Sequence, residues 1–351
     1  MNLQTKHYNQ LDGVRGIAVL MVMVFHFFQT YEPSNDFLLL IKKISLFGKT
    51  GVSLFFVLSG FLITRILVDN KRQDFYFRNF YFRRALRIFP LYYFFLLVYY
   101  FIIPIISNTS ISDFSQQIYH FTFLQNFAST FNWESFGPSH YWSLSVEEHF
   151  YLFWPFVIYF FSFDKIKWII LLLVVISFIT RFILITNNFE ESQFTVARFD
   201  ELAMGAMLSI LEKEKILTLN NKKYFISLLI ISALPLIYIS FKNGDYSIVE
   251  KSIRHFILAI FYGTLVGIAI ISSSENFLYK ILTYKMLRYT GKISFGLYVY
   301  HPICFVLVFT FLPINEILLI FVASFILAYL ISMLSFNLFE KRFTDLKKNF
   351  A

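Results

Sequence analysis

The chain has 351 residues and one cysteine, Cys304. A single thiol excludes an internal disulfide framework and a cysteine-based metal cluster. Charged residues are also scarce, at 15% against 57% hydrophobic, with a mean hydropathy of +0.62. No soluble globular domain of this size approaches that balance. Strict polar–apolar alternation is missing from the apolar runs, which excludes a membrane β-barrel. No basic soluble face is present to carry nucleic acid, so a nucleic-acid partner is not expected. The first apolar segment lacks a small-residue cleavage site, so it is expected to stay as a span. No internal repeat, low-complexity tract or long linker interrupts the sequence. It reads as one domain over residues 1–351, expected to stop at Ala351 without an appended soluble module.

What the chain has in excess is aromatic and apolar. Phe alone occurs 48 times, and apolar runs of 16 to 24 residues recur from end to end. This predicts an all-α, polytopic transmembrane helical bundle of about ten spans. The spans are expected near 12–30, 47–68, 88–107, 143–161, 168–186, 196–211, 223–241, 253–272, 293–311 and 315–338. The net charge is +9, and its placement matters more than its size. With the N-terminus inside, 23 of the 31 Lys and Arg fall on inner segments, from Lys6 to the C-terminal cluster. That bias predicts an even number of spans and both termini in the cytoplasm. The segment from Asn108 to Tyr141 has no Lys or Arg and is placed outside. Within it, Phe114 to Phe127 is amphipathic and too short to span, which predicts an interfacial or re-entrant helix.

The stretch from Leu11 to Phe28, LDGVRGIAVLMVMVFHFF, is the centre of the functional reading. Arg15 and His26 are eleven residues apart, about three helical turns and roughly 16 Å, and nearly in line. Asp12, Arg15, Val19, Val22 and His26 thus make one stripe, polar at both ends. A charge in hydrocarbon costs about 2.5–3.5 kcal/mol on insertion scales, so such residues are functional candidates. The bland alternative puts Asp12 and Arg15 at the interface and makes His26 a hydrogen-bonded packing residue.

Three further constellations stand out. Before the third span, RNFYFRRALRIFP is read as an inner loop; it places Arg84 and Arg87 three apart, hence on one helical face, with Arg83 adjacent. Arginine's planar fork suits phosphate oxygens, although any inner loop collects basic residues. The fourth span opens HYWSLSVEEHFYLFWP, where Ser145 and Glu148 fit a helix-capping box. Glu147 lies one turn from Tyr151, and a carboxylate near an imidazole suits proton transfer. The sixth span opens RFDELAMGAML; Arg198 and Asp200 are expected to neutralise each other or to pair with Glu147 or His26. Gly205 with Ala203 and Ala206 predicts close helix packing there. In the ninth span, GKISFGLYVYHPI, Ser294, Tyr298 and His301 approximate one stripe, and His301 precedes Pro302.

Taken in order, these pieces resemble the acyltransferase-3 family of integral membrane acyltransferases, which modify glycans and related cell-envelope molecules. The resemblance rests on LDGVRGIAVLMVMVFHFF, GKTGVSLFFVLSGFLITRIL, FYFRRALRIFPLYY, HYWSLSVEEHFYLFWP, RFDELAMGAML and GKISFGLYVYHPI, which cover nearly the whole chain. It implies that Arg15 and His26 serve acyl transfer, that Arg84 and Arg87 are the paired arginines before the third span, and that Glu147, with Glu148 beside it, is the acidic position. His149 departs from the common glutamine. The extracytoplasmic SGNH-type esterase domain of many members is not expected. The implied activity is O-acylation in the bacterial inner membrane, from cytoplasmic acyl-CoA (acetyl-CoA) to a glycan hydroxyl, with no metal. On that reading His26 is the base, Glu147 orients it or balances its charge, and Arg15 meets charge on the thioester oxygen. Arg84, Arg87 and Arg83 hold CoA phosphates. Asp12, Tyr151, Arg198, Asp200, Ser294 and His301 support substrate. Implied partners are the lipid bilayer, a glycan acceptor that is lipid-linked, and a separate extracytoplasmic transfer partner. The competing class is a glycan or organic-ion transporter using the same charges as a proton relay. Twelve Gly and eight Pro with no visible repeat argue against it.

Overall fold

The computed structural model describes residues 7–29, 31–33, 35–241, 246–312 and 316–350. The expected span ends at 30 and 315, and Lys6, lie outside them. All regular structure among the described residues is helical. Ten long helices follow the ten apolar runs. They are α1 (Asn9–Phe28), α2 (Gly51–Asn70), α3 (Tyr76–Leu97), α4 (Trp142–Phe160), α5 (Phe163–Thr186), α6 (Phe199–Lys213), α7 (Lys222–Phe241), α8 (Ile248–Ile271), α9 (Ser294–Phe311) and α10 (Ile317–Ser335). Eight of these, counted with their flanking turns, are long and apolar enough to cross a membrane. The two that fall short are α4 and α6, and they carry Glu147, Glu148, Asp200 and Glu201. With 15 residues, α6 is about 22 Å long, less than the roughly 30 Å of a bilayer core.

Two local expectations need correction. The arginine-rich stretch before the third span is not a loop: α3 begins at Tyr76 and takes Arg78 to Arg87 into the helix, with Pro90 inside it. The amphipathic stretch expected to form one interfacial or re-entrant helix is two short helices, Phe114–Phe121 and Gln125–Thr130. They are separated at Phe123, whose φ of 59° is a left-handed conformation that ends the first helix.

The chain divides into two compact units, one of residues 53–77 and 96–274, the other of residues 8–52, 78–95 and 275–350. In the first, α2 and α6 meet backbone to backbone: a Cβ on Gly60 would strike the Leu202 carbonyl, and one on Gly205 would strike the Val57 carbonyl. This is the close packing expected from Gly205 and its alanine neighbours. Trp154 is fully buried, stacks on Phe150 and donates from Nε1 to Thr64 Oγ1 at 2.7 Å. By contrast α5 and α7 turn apolar side chains outward, with Trp168 71% and Ile231 63% exposed. Outward apolar faces on helices of this length are suited to lipid.

In the second unit, α1 lies against the short helix Lys285–Lys292. Gly16 faces the Leu287 carbonyl and Gly291 faces the Asp12 carbonyl, so neither position has room for a Cβ. Around the far end of α1, Phe27 packs on Phe305, Phe309 and Phe321. Burial of such rings supplies about 1.5–3 kcal/mol each where water is the alternative. In lipid the gain is instead the fit of ring against ring. That packing fixes α1 against α9, and so fixes His26 against His301.

Candidate active site

His26 sits in the last turn of α1 and His301 in the middle of α9. Their rings lie edge to edge, with centroids 5.0 Å apart and planes 15° from parallel, and His26 Nδ1 is 2.8 Å from His301 Nε2. The other nitrogen of His301, Nδ1, is 3.0 Å from the Leu297 carbonyl one turn back. His301 is fully buried, walled by Tyr298 and Phe305, whereas His26 is half-buried. Ser294 and Tyr298 are buried along the same helix. Pro302 lacks an N–H, so the helix loses one internal bond next to the imidazole pair. At the other end of α1, Arg15 Nη1 is 3.2 Å from Asp12 Oδ1, with both side chains about one-fifth exposed. The sequence stripe is therefore two pairs: Arg15 with Asp12, and His26 with a residue 275 positions away.

The same unit gathers cations. On α3, Arg83 Nε donates to the Phe350 carbonyl at 2.7 Å, and the Arg84 guanidinium lies over the Phe80 ring at 5.9 Å. The Lys347 ammonium is held down to about 7 by burial and by the nearby charges of Arg87, Arg84 and Arg83. Glu340 is buried within electrostatic reach of Arg87, and its Oε1 accepts from Ser335 Oγ at 3.1 Å. Three arginines beside a part-buried lysine suit a polyanion such as a phosphate chain.

The first unit holds the remaining candidates. Tyr151 donates to Glu147 Oε2 at 3.0 Å, as the one-turn spacing predicted, and its oxygen is 2.5 Å from Ser59 Oγ. Glu148 and His149 are half-buried beside it; His149 Nδ1 meets Thr195 Oγ1 at 2.7 Å, and Asn126 donates to the same hydroxyl at 2.6 Å. The Arg198 guanidinium lies 5.2 Å from the Phe56 ring and 5.4 Å from the Trp142 ring, which meet edge to face, and it donates to Glu201 at 2.8 Å. Glu201 also meets His255 Nδ1 at 3.2 Å. Asp200 accepts from Arg181 at 2.8 Å, both fully buried.

Two pairings differ from expectation. Arg198 does not neutralise Asp200, because residues two apart on a helix point to different faces. Three residues on is Glu201, which Arg198 reaches, leaving Asp200 to Arg181 of α5. The capping box also fails: α4 starts at Trp142, so Ser145 is already inside the helix and cannot cap it. Sequence reasoning missed Arg181, Glu201, His255, Lys347 and Glu340. A lone charge in the part of α5 beyond Lys167 was the available signal for Arg181, and Lys347 lay unremarked within the C-terminal basic run. Among the described residues, no three His, Cys, Asp or Glu side chains are grouped as a metal ion would need.

A family model described as an acyltransferase domain, the acyltransferase-3 model, matches residues 8–336. The peptidoglycan O-acetyltransferase OatA of Listeria monocytogenes is 28% identical over 322 residues, 84% of this chain and 49% of that protein. The O-acetyltransferase OatA of Staphylococcus aureus is 27% identical over 352 residues, 94% of this chain and 56% of that one. The chain thus spans about half the length of the relatives it matches. No solved structure matches it.

Proposed function

Because the chain belongs to the acyltransferase-3 family, we propose that it is a membrane O-acetyltransferase acting on a hydroxyl of a cell-envelope glycan. The observation that carries this reading is the half-buried His26 imidazole, held by a hydrogen bond to a fully buried partner. An alcohol attacks a thioester slowly until a base takes its proton, and an imidazole of fixed orientation is suited to that near neutral pH. The names of the relatives, which are peptidoglycan and other O-acetyltransferases, support acetyl as the group and a glycan as the acceptor class.

The donor in this proposal is acetyl-CoA, entering from the cytoplasmic side of the bacterial inner membrane. Arg83, Arg84, Arg87 and Lys347 would hold its phosphates; the gathering of these cations within one unit supports this. The donor supplies an activated acyl carbonyl. Arg15, paired with Asp12 about three helical turns from His26, would meet the donor away from the reacting carbonyl rather than at its oxygen. Glu147, steadied by Tyr151, with Glu148 beside it, is the acidic group proposed for the acceptor side. A lipid-linked acceptor and a separate extracytoplasmic transfer partner belong to the same proposal.

The test uses the purified protein in sealed proteoliposomes of known orientation, with acetyl-CoA and peptidoglycan fragments. Free thiol should appear only when acetyl-CoA is supplied at the face carrying the arginines, and acetyl ester should appear on the glycan at the other. Transport of intact glycan without thiol release would overturn the enzyme reading. Consumption and product on one face would overturn the sidedness.

A further inference from the structure

The hydrogen bonds of His301 decide more than its own position. Its Nδ1 is 3.0 Å from the Leu297 carbonyl, and a carbonyl only accepts, so Nδ1 carries the proton. A neutral imidazole has one N–H, which leaves Nε2 of His301 as an acceptor. The atom 2.8 Å away is His26 Nδ1, which must then be the donor. His26 in turn has its N–H at Nδ1, and its lone pair stands at Nε2. Among the described residues, Nε2 of His26 has no hydrogen-bond partner. A second proton on His301 would instead put a charge in a fully buried site walled by Tyr298 and Phe305, at a cost of several kcal/mol.

We propose that His301 is a positioning residue that locks His26 in the tautomer whose Nε2 is free to accept a proton, along a relay running from the Leu297 carbonyl through His301 to His26. This rests on the reading of His26 as the base. In the reaction, the acceptor hydroxyl passes its proton to His26 Nε2 while its oxygen forms a bond to the thioester carbonyl carbon. The carbon–sulfur bond then breaks, and the proton on Nε2 goes to the departing thiolate, so ester and free thiol balance alcohol and thioester. The Nδ1 proton never leaves. Its bond to His301 strengthens as His26 becomes an imidazolium, much as an orienting group does in other acyl transfers. His301 itself touches no substrate, because it has no exposed surface. Its burial argues for the lock: a ring fixed by the helix backbone at one nitrogen and by packing on both sides cannot turn to offer the other nitrogen.

The state of the proton is read directly by 15N NMR of imidazole-labelled protein in detergent. The His26 signals are assigned by their loss in His26→Asn. The expected spectrum of the unaltered protein has His26 protonated at Nδ1 and unprotonated at Nε2. The opposite tautomer would overturn the proposal, with no dependence on activity. Two variants supply the kinetic arm. His301→Gln can place an amide oxygen near the lost Nε2 and should keep kcat within about tenfold, whereas His301→Leu should lower it about a hundredfold or more, the lower range for general-base catalysis. The KM for acetyl-CoA should stay the same in both. Equal loss in both variants, with unchanged melting temperature, would overturn the lock. If His26→Ala keeps full turnover, the base reading fails instead, and the NMR result still reports on the tautomer.

Discussion

In the first unit, the deepest charges meet opposite charges: Arg181 with Asp200, and Arg198 with Glu201, which also takes His255. In the second, an imidazole pair leaves one nitrogen open, and three arginines crowd a lysine. The contrast separates two uses of polarity in an apolar chain. Matched pairs in low dielectric fix one helix against another, and their loss is felt as instability. Groups held in position without being fully matched keep a capacity for a proton or an anion, and their loss is felt as lost chemistry. The distinction is not one of burial, since His301 and Asp200 are both fully buried.

The largest effect expected in the first unit follows from breaking a matched pair. Arg181→Met leaves Asp200 without its 2.8 Å partner and should cost about 3–5 kcal/mol of stability. Unfolding in mixed detergent measures it, and adding Asp200→Leu should return most of the loss. A single variant as stable as the parent would remove the basis for calling this pair structural. Turnover by whatever fraction stays folded should be nearly normal, which is what sets this pair apart from the imidazole pair.

A smaller and chemically different effect is expected on α3. Arg84→Lys or Arg87→Lys keeps the charge but not the planar fork, and each should raise the KM for acetyl-CoA about tenfold with little change in stability. Unchanged donor dependence in both would reduce these arginines to determinants of topology. Because α3 is helical from Tyr76, the two share a face, as their spacing required. That much was legible in the sequence, since it depends only on local periodicity. So were the ten helical runs and the shared face of Glu147 and Tyr151.

What could not be read was any pairing between distant helices. Asp200 was expected to pair with Arg198 of its own motif, or with Glu147 or His26, while Arg181 stood in another helix, 19 residues away in sequence. His301 was singled out for its stripe and its proline, and nothing local connected it with His26. The capping role of Ser145 failed for a different reason. A Ser-x-x-Glu pattern scores as a cap wherever it falls, and the preceding turn Ser139–Tyr141 feeds the helix three residues earlier.

The smallest expected effect concerns Lys347. Its folded value of about 7 lies below the ordinary 10.5 for lysine, so in the empty cluster it loses its proton as pH rises through about 7. Binding a polyanion favours the charged form, so donor affinity should fall over that same rise. In Lys347→Met this pH dependence should flatten, with donor KM about threefold higher than the parent's on the acid side, a loss of well under 1 kcal/mol. The sign for folding is opposite: between about 7 and 10.5 the unfolded chain binds the proton and the folded one does not, so this group makes stability rise with pH. A pH profile of donor KM identical in parent and variant would detach Lys347 from the cluster's chemistry.

The central claim is that the imidazole at the end of α1 is the reacting group of the second unit and not one of its packing elements. The most direct measurement is turnover of acetyl-CoA to glycan ester by His26→Ala at matched, folded protein level, followed as thiol release. Alanine is easier to bury than imidazole, so the variant should insert and fold as the parent does while turnover falls by about 10²–10⁴-fold. Near-normal turnover would contradict the account, and His26 would then be a partner of His301 and nothing more.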